Sequence, residues 1–130
     1  HLTVTENLAY PLYKQKMERK IVNEKTSKIA EMLRITHTLD RKPDTLSGGE
    51  QQRMAFARAL ILEPDVIFAD EPTASLDEEN SNNLLTLLKG QSKLGKTVIL
   101  VSHDKEAVQW ADCVMELEQK GRGMDVRYNN

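Results

Sequence analysis

Leu46-Ser47-Gly48-Gly49-Glu50-Gln51-Gln52-Arg53 sets a hydroxyl and two glycines at the head of a helix predicted to run from Ser47 to about Leu62, where Glu63-Pro64 stops it. Exposed backbone N–H groups and the positive end of a helix dipole favour an anion, and glycine lets a phosphate approach closely. Taken alone, Ser47 to Glu50 is also an S-x-x-E capping box, in which the hydroxyl and the carboxylate satisfy orphan amides. Capping and phosphate binding are compatible.

Downstream, Val66-Ile67-Phe68-Ala69 is too short for a helix and ends in Asp70-Glu71-Pro72, which predicts a buried parallel strand. Pro72 to Leu76 reads as loop, Asp77 to Lys93 as a helix with Leu84, Leu85, Leu87 and Leu88, and Thr97 to Val101 as a second buried strand. A short helix from Lys105 and a strand from Cys113 to Leu117 follow, and polar Lys120 to Asn130 is expected to fray or to lead into further sequence. Upstream, Met17, Ile21, Val22, Ile29, Met32 and Leu33 form a helical stripe, and Thr36 to Leu46 is rich in turn residues. Strands alternating with helices imply an α/β fold with a parallel sheet, whose ligands bind at the carboxyl ends of strands. Asp70, Glu71 and His103 lie at such ends.

Composition bounds the function. A chain of 130 residues that is 39% hydrophobic can bury one modest core. A net charge of −2 gives no electrostatic footprint for nucleic acid. Cys113 has no partner for an intrachain disulfide, which suits a reducing compartment, and no apolar run approaches the ~20 residues that span a bilayer. Cys113 is expected as a small buried thiol, Met115 as a core thioether and Trp110 as packing. The chain opens on His1-Leu2-Thr3 without the progression of a signal peptide, so it reads as a segment of a longer protein.

Gly90-Gln91-Ser92-Lys93-Leu94-Gly95-Lys96-Thr97 satisfies the phosphate-loop pattern G-x-x-x-x-G-K-[ST]. A working loop needs a strand before it and a helix after it, so that amides converge on phosphate. Here a leucine-rich helix precedes and a strand follows. This match is therefore a decoy, and a kinase built on it ranks last.

In order and spacing, these stretches resemble ABC ATPases from about Leu2 to Leu117. Leu46 to Arg53 resembles the signature motif, Val66 to Pro72 the Walker B strand, Thr73-Ala74-Ser75-Leu76-Asp77 the D-loop, and His103 in Val101-Ser102-His103-Asp104 the switch histidine. The resemblance implies an incomplete P-loop NTPase fold: a helical subdomain at about 8–62 and the later part of an α/β core at about 63–130, with the Walker A lobe upstream. It implies that Asp70 orders the hydration shell of Mg²⁺, that Glu71 is the general base for the attacking water, and that His103 contacts the γ-phosphate of ATP. Ser47, Gly48, Gly49, Glu50 and Asp77 would serve the ATP of an opposing subunit, or the interface, in a head-to-tail dimer. Closure of that dimer would drive a transmembrane permease from the cytoplasmic face of the membrane. The whole protein would hydrolyse ATP, and this chain alone would not. The alternative is a non-hydrolytic half-cassette that acts as a dimerisation or regulatory module. Asp70-Glu71-Pro72-Thr73 with Ser75-Leu76-Asp77 is most similar to lipoprotein-release and macrolide-export ATPases, and Gln51-Gln52-Arg53 fits transporters better than chromosome-maintenance ATPases.

Overall fold

The computed structural model describes residues 2–74, 76–120 and 123–129. Helix α1 spans Val4–Lys14 and opens on a reciprocal capping box, in which the Glu6 N–H donates to Thr3 Oγ1 at 3.2 Å and the Thr3 N–H to Glu6 Oε2 at 2.7 Å. It buries Val4, Leu8 and Leu12, one residue per turn on a single face. Helix α2 spans Arg19–Met32 and buries Val22, Thr26, Ile29 and Ala30. The stripe expected from the sequence is partly corrected here: Val22, Ile29 and Leu33 are buried, whereas Ile21 and Met32 face solvent. Thr26, neutral in a hydrophobicity count, holds the inward position between Val22 and Ile29.

The connection from residue 36 to residue 46 is pinned to the start of α1. The Val4 N–H donates to the Arg41 carbonyl at 2.9 Å, and both the amide and the hydroxyl of Thr5 donate to the Leu39 carbonyl at 3.0 and 2.9 Å. Helix α3 then spans Gly48–Leu60, slightly shorter than expected, and Glu63 follows it with φ at 53°. One buried cluster joins α1, α2 and α3 to Ile67, Ala69 and Leu88 farther along the chain.

Strand β1 (Val66–Asp70) pairs in parallel with β2 (Thr97–Val101), in a register that sets Asp70 opposite Val101. Helix α4 (Glu78–Lys93) crosses between them, buries Leu84, Leu85 and Leu88, and packs against β2. The expectation of fully buried strands is corrected. Ile67 and Ala69 are buried, Val98 and Leu100 partly so, while Phe68 is 72% exposed and Val66, Ile99 and Val101 share its face. A continuous apolar run marks a strand meant for cover on both faces, but among the described residues one face alone is covered.

Gly95 ends the turn after α4 with φ at 86° and open space around its Cα. Gly95→Ala should therefore destabilise the chain by about 1 kcal/mol through conformation rather than collision, a loss that urea unfolding would register.

Two further expectations fail. Strand β3 (Val114–Lys120) pairs antiparallel with β4 (Gly123–Asn129) as a separate sheet, so most of the stretch expected to fray is ordered by a hairpin ladder. Gly121, Arg122 and Asn130 lie outside the described residues. Cys113 precedes β3 and is exposed, and Met115 is 54% exposed, so neither belongs to the core.

Candidate functional site

The parallel pairing brings three of the predicted residues together. Asp70 closes β1, and Glu71 turns the chain away with φ at 44°, a left-handed conformation that non-glycine residues seldom adopt and that concentrates at functional sites. Its N–H donates to the Val101 carbonyl at 2.8 Å, which extends the ladder by one bond and fixes where its side chain starts. Glu71 Oε1 then accepts the backbone N–H of His103 at 3.0 Å and lies 3.5 Å from His103 Nε2. The His103 loop is shaped locally: the Asp104 N–H donates to Ser102 Oγ at 3.0 Å, and the Asp104 carboxylate accepts the Glu106 N–H at 2.8 Å. The imidazole is almost wholly solvent-facing, while the Glu71 side chain is one-third exposed. A carboxylate about two-thirds screened by its own fold, with a histidine held beside it and a second carboxylate at the preceding position, can orient and polarise a water molecule.

A second group lies at the N-terminus of α3. Ser47 and Glu50 make the predicted capping box: the Glu50 N–H donates to Ser47 Oγ at 3.3 Å, and Glu50 Oε2 accepts the Ser47 N–H at 2.8 Å and its hydroxyl at 2.9 Å. His37 Nε2 sits 2.8 Å from Glu50 Oε1, and Arg41 Nη1 lies 3.8 Å from Oε2. The Ser47 amide, then His37, then the Ser47 hydroxyl, with a smaller contribution from Arg41, hold the Glu50 carboxyl down to about 2 from an ordinary 4.5. A depressed folded-state pKa contributes stability that is present above the ordinary value and lost as pH falls through the folded one. Stability should therefore decline between about pH 4.5 and 2 with a contribution from Glu50, and Glu50→Gln should flatten that part of the profile in urea melts taken at successive pH values.

Among the described residues, nothing explains the two glycines. Neither Gly48 nor Gly49 has a positive φ. A Cβ at Gly48 meets nothing within 4 Å, and one at Gly49 makes ordinary contacts with Arg53 at 3.5 Å and Leu76 at 3.7 Å. Each glycine costs a helix interior about 1 kcal/mol against alanine, although less in the first turn. Both glycines lie in the first turn of α3, where an anion's oxygens could reach the amides.

The two groups are joined by residues to which the sequence assigned no role. Gln52 Nε2 donates to the Pro72 carbonyl, just past Glu71. Arg53 Nη1 donates to Asn80 Oδ1 at 2.8 Å. Asn80 in turn gives its backbone N–H to Asp77 Oδ1 at 2.8 Å and its amide to both Asp77 oxygens, so Asp77 is the N-cap of α4 and its carboxyl is held below the usual range by Asn80. Ser75 lies outside the described residues. The sequence offers no sign of a role for His37, because the turn that brings it to Glu50 has no local signature. The decoy stretch has the predicted order: Gly90 inside α4, Gly95 in the turn, Thr97 opening β2.

This arrangement can be set against known proteins. The ABC transporter family model matches residues 1–74, more than half of the chain. The chain belongs to the ABC transporter family. Among curated ABC relatives, it is 46% identical over 116 residues to the molybdate/tungstate import ATP-binding protein WtpC of Pyrococcus horikoshii, covering 88% of this chain and 34% of that protein. It is 38% identical over 120 residues to the maltose/maltodextrin import ATP-binding protein MalK of Escherichia coli, covering 91% of this chain and 32% of that protein. A dimeric ATP-binding cassette solved in a post-hydrolysis state with ADP and Pi superposes with a TM-score of 0.80 at 34% identity, over 88% of this chain and 51% of that one. The fold is thus a partial P-loop NTPase cassette. This ABC chain spans about one-third of the length of the curated relatives it matches. Those relatives are import subunits by name, and the finer likeness to lipoprotein-release and macrolide-export ATPases remains an expectation from the sequence.

Proposed function

We propose that this chain is the signature-bearing and water-polarising part of an ATP-hydrolysing ABC transporter subunit. The observation that carries the proposal is the junction at the carboxyl ends of the two parallel strands, where Glu71 is oriented by the His103 amide next to Asp70. Glu71 acts as the general base: its unprotonated carboxylate accepts a proton from water positioned for in-line attack on a terminal phosphate. His103, its ring exposed to solvent beside Glu71, donates to that phosphate. Among the described residues, no three acidic, histidine or cysteine side chains converge on one point. Mg²⁺, which keeps most of its waters and takes few protein ligands, suits such a site: Asp70 would hold it through water, and it would neutralise charge on the phosphates.

The α3 N-terminus serves a different nucleotide. Among the described residues nothing comes within 4 Å of a Cβ at Gly48, and one at Gly49 makes only ordinary contacts, so the helix start suits a phosphate brought by a second ABC ATPase subunit in a head-to-tail dimer. Asp77, already committed to capping α4, shapes the segment that crosses that interface. ATP-driven closure of the dimer then moves a transmembrane permease, with this subunit peripheral on the cytoplasmic face. None of the described helices is long and apolar enough to cross a membrane. In this reading, residues 8–62 form the helical subdomain and residues 63–130 the α/β core.

Calorimetry tests whether the chain holds a phosphate loop of its own. Residues 1–130 should bind Mg·ATP no more tightly than roughly 1 mM, and Lys96→Ala should change nothing. Micromolar binding abolished by Lys96→Ala would make Gly90 to Thr97 a working loop and contradict the assignment.

A further inference from the structure

We infer that His37 is a positioning residue for the signature site, holding the Glu50 carboxylate so that Ser47 and the first turn of α3 keep the shape that receives a phosphate. The inference rests on the reading above, in which that turn contacts nucleotide. The two oxygens of Glu50 have divided duties. Oε2 takes the amide and the hydroxyl of Ser47, and Oε1 is met by His37 at 2.8 Å. When the Ser47 hydroxyl turns from Glu50 towards a phosphate, one of those bonds is given up. The carboxylate then keeps its place through the Ser47 amide and His37. Arg41, 3.8 Å from Oε2, also offsets a negative charge that stands beside the seat of an anion.

The seat of His37 is itself fixed. It lies in the turn Thr36–Thr38, where the Thr38 side chain is buried and its hydroxyl donates to the Ile35 carbonyl at 2.6 Å. The carbonyls of Leu39 and Arg41 are held by the amides of Thr5 and Val4 at the head of α1. The start of α1 is thereby linked through residues 37–41 to Glu50, and through Glu50 to Ser47. Glu50 is 13% exposed and His37 61% exposed, so the imidazole is attached to the core through its backbone and offers its ring to Glu50 from the solvent side.

The test is ATP turnover by the intact ATPase at varied ATP concentration, for His37→Ala, His37→Gln, Glu50→Ala and the His37→Ala/Glu50→Ala pair. His37→Ala should raise the KM for ATP roughly fivefold with a smaller change in kcat, the scale of one ordinary, solvent-exposed hydrogen bond. His37→Gln, which keeps a donor, should recover most of that loss, and His37→Ala should cost nothing further in the Glu50→Ala background. A silent His37→Ala, a loss that glutamine does not recover, or an undiminished loss in the Glu50→Ala background would overturn the inference. Ser47→Ala and Gly49→Asp, run alongside, separate the two levels. If both are silent, the phosphate reading of the α3 N-terminus fails and this inference fails with it; if both impair turnover while His37→Ala does not, this inference alone fails.

Discussion

Glu71→Gln in the intact protein should lower ATP turnover by about 10²–10⁴-fold while leaving Mg·ATP affinity within a few-fold of the parent. The amide keeps the size of the carboxylate and can still accept the His103 N–H seen at 3.0 Å, so the junction between the strands retains its form. What it lacks is a basic oxygen for the water's proton. Steady-state phosphate release and nucleotide binding by calorimetry separate the two quantities. Parallel losses of binding and turnover would place Glu71 in ground-state contact with nucleotide instead of proton transfer.

The second large effect lies in the core and not in the chemistry. Leu12→Ala should destabilise the folded chain by about 3 kcal/mol, within the range for deleting a fully buried leucine side chain. Leu12 is 0% exposed and belongs to the cluster that joins α1 to α3 and β1. Leu94→Ala, at a side chain 74% exposed, is the matched control and should stay within about 0.5 kcal/mol of the parent. Urea unfolding of both variants gives the comparison. A Leu12→Ala loss no larger than the control's would mean that α1 is not packed as described.

Much of this was legible before any coordinates. The α3 capping box, the β1 and β2 strands with their acidic and histidine ends, and the α4 helix with its aspartate cap all depend on neighbours within a few residues, and local chemistry specifies them. Val4, Leu8 and Leu12 are also spaced for a helix, and α1 forms there with Pro11 inside it. The inward face of α2 was misjudged at Ile21 and Met32 because hydrophobicity alone cannot separate a core side chain from one on the flank of the stripe. The hairpin of β3 and β4 did have a local signal, because Met124, Val126 and Tyr128 alternate with Asp125, Arg127 and Asn129 at the period of a strand, but the charged and glycine-containing tail around them outweighed it.

The site shows the same division. Asp70, Glu71 and His103 could be brought together from the sequence because parallel strands deliver their ends to one edge. The links from Gln52 to Pro72, from Arg53 to Asn80 and from His37 to Glu50 span 13 to 27 residues and follow from how α3 is seated. No local pattern encodes them. They matter because they connect the first turn of α3 to the segment just after Glu71 and to the head of α1.

The central claim is that the two halves of the site serve different nucleotides, and mixing two inactive variants of the intact subunit tests it most directly. Glu71→Gln removes the base. Gly49→Asp puts a negative charge at the start of α3 with a Cβ that the protomer's own packing tolerates, at 3.5 Å from Arg53. Each alone should be inactive. Equal mixing should restore about one-quarter of parental turnover, because half of the dimers are mixed and each then holds one intact composite site of two. Glu71→Gln/Gly49→Asp mixed with the parent should yield no such gain beyond the parent's own dimers. An equal mixture of the single variants that stays inactive would contradict the account, since it would mean that Glu71 and Gly49 act on the same nucleotide within one protomer.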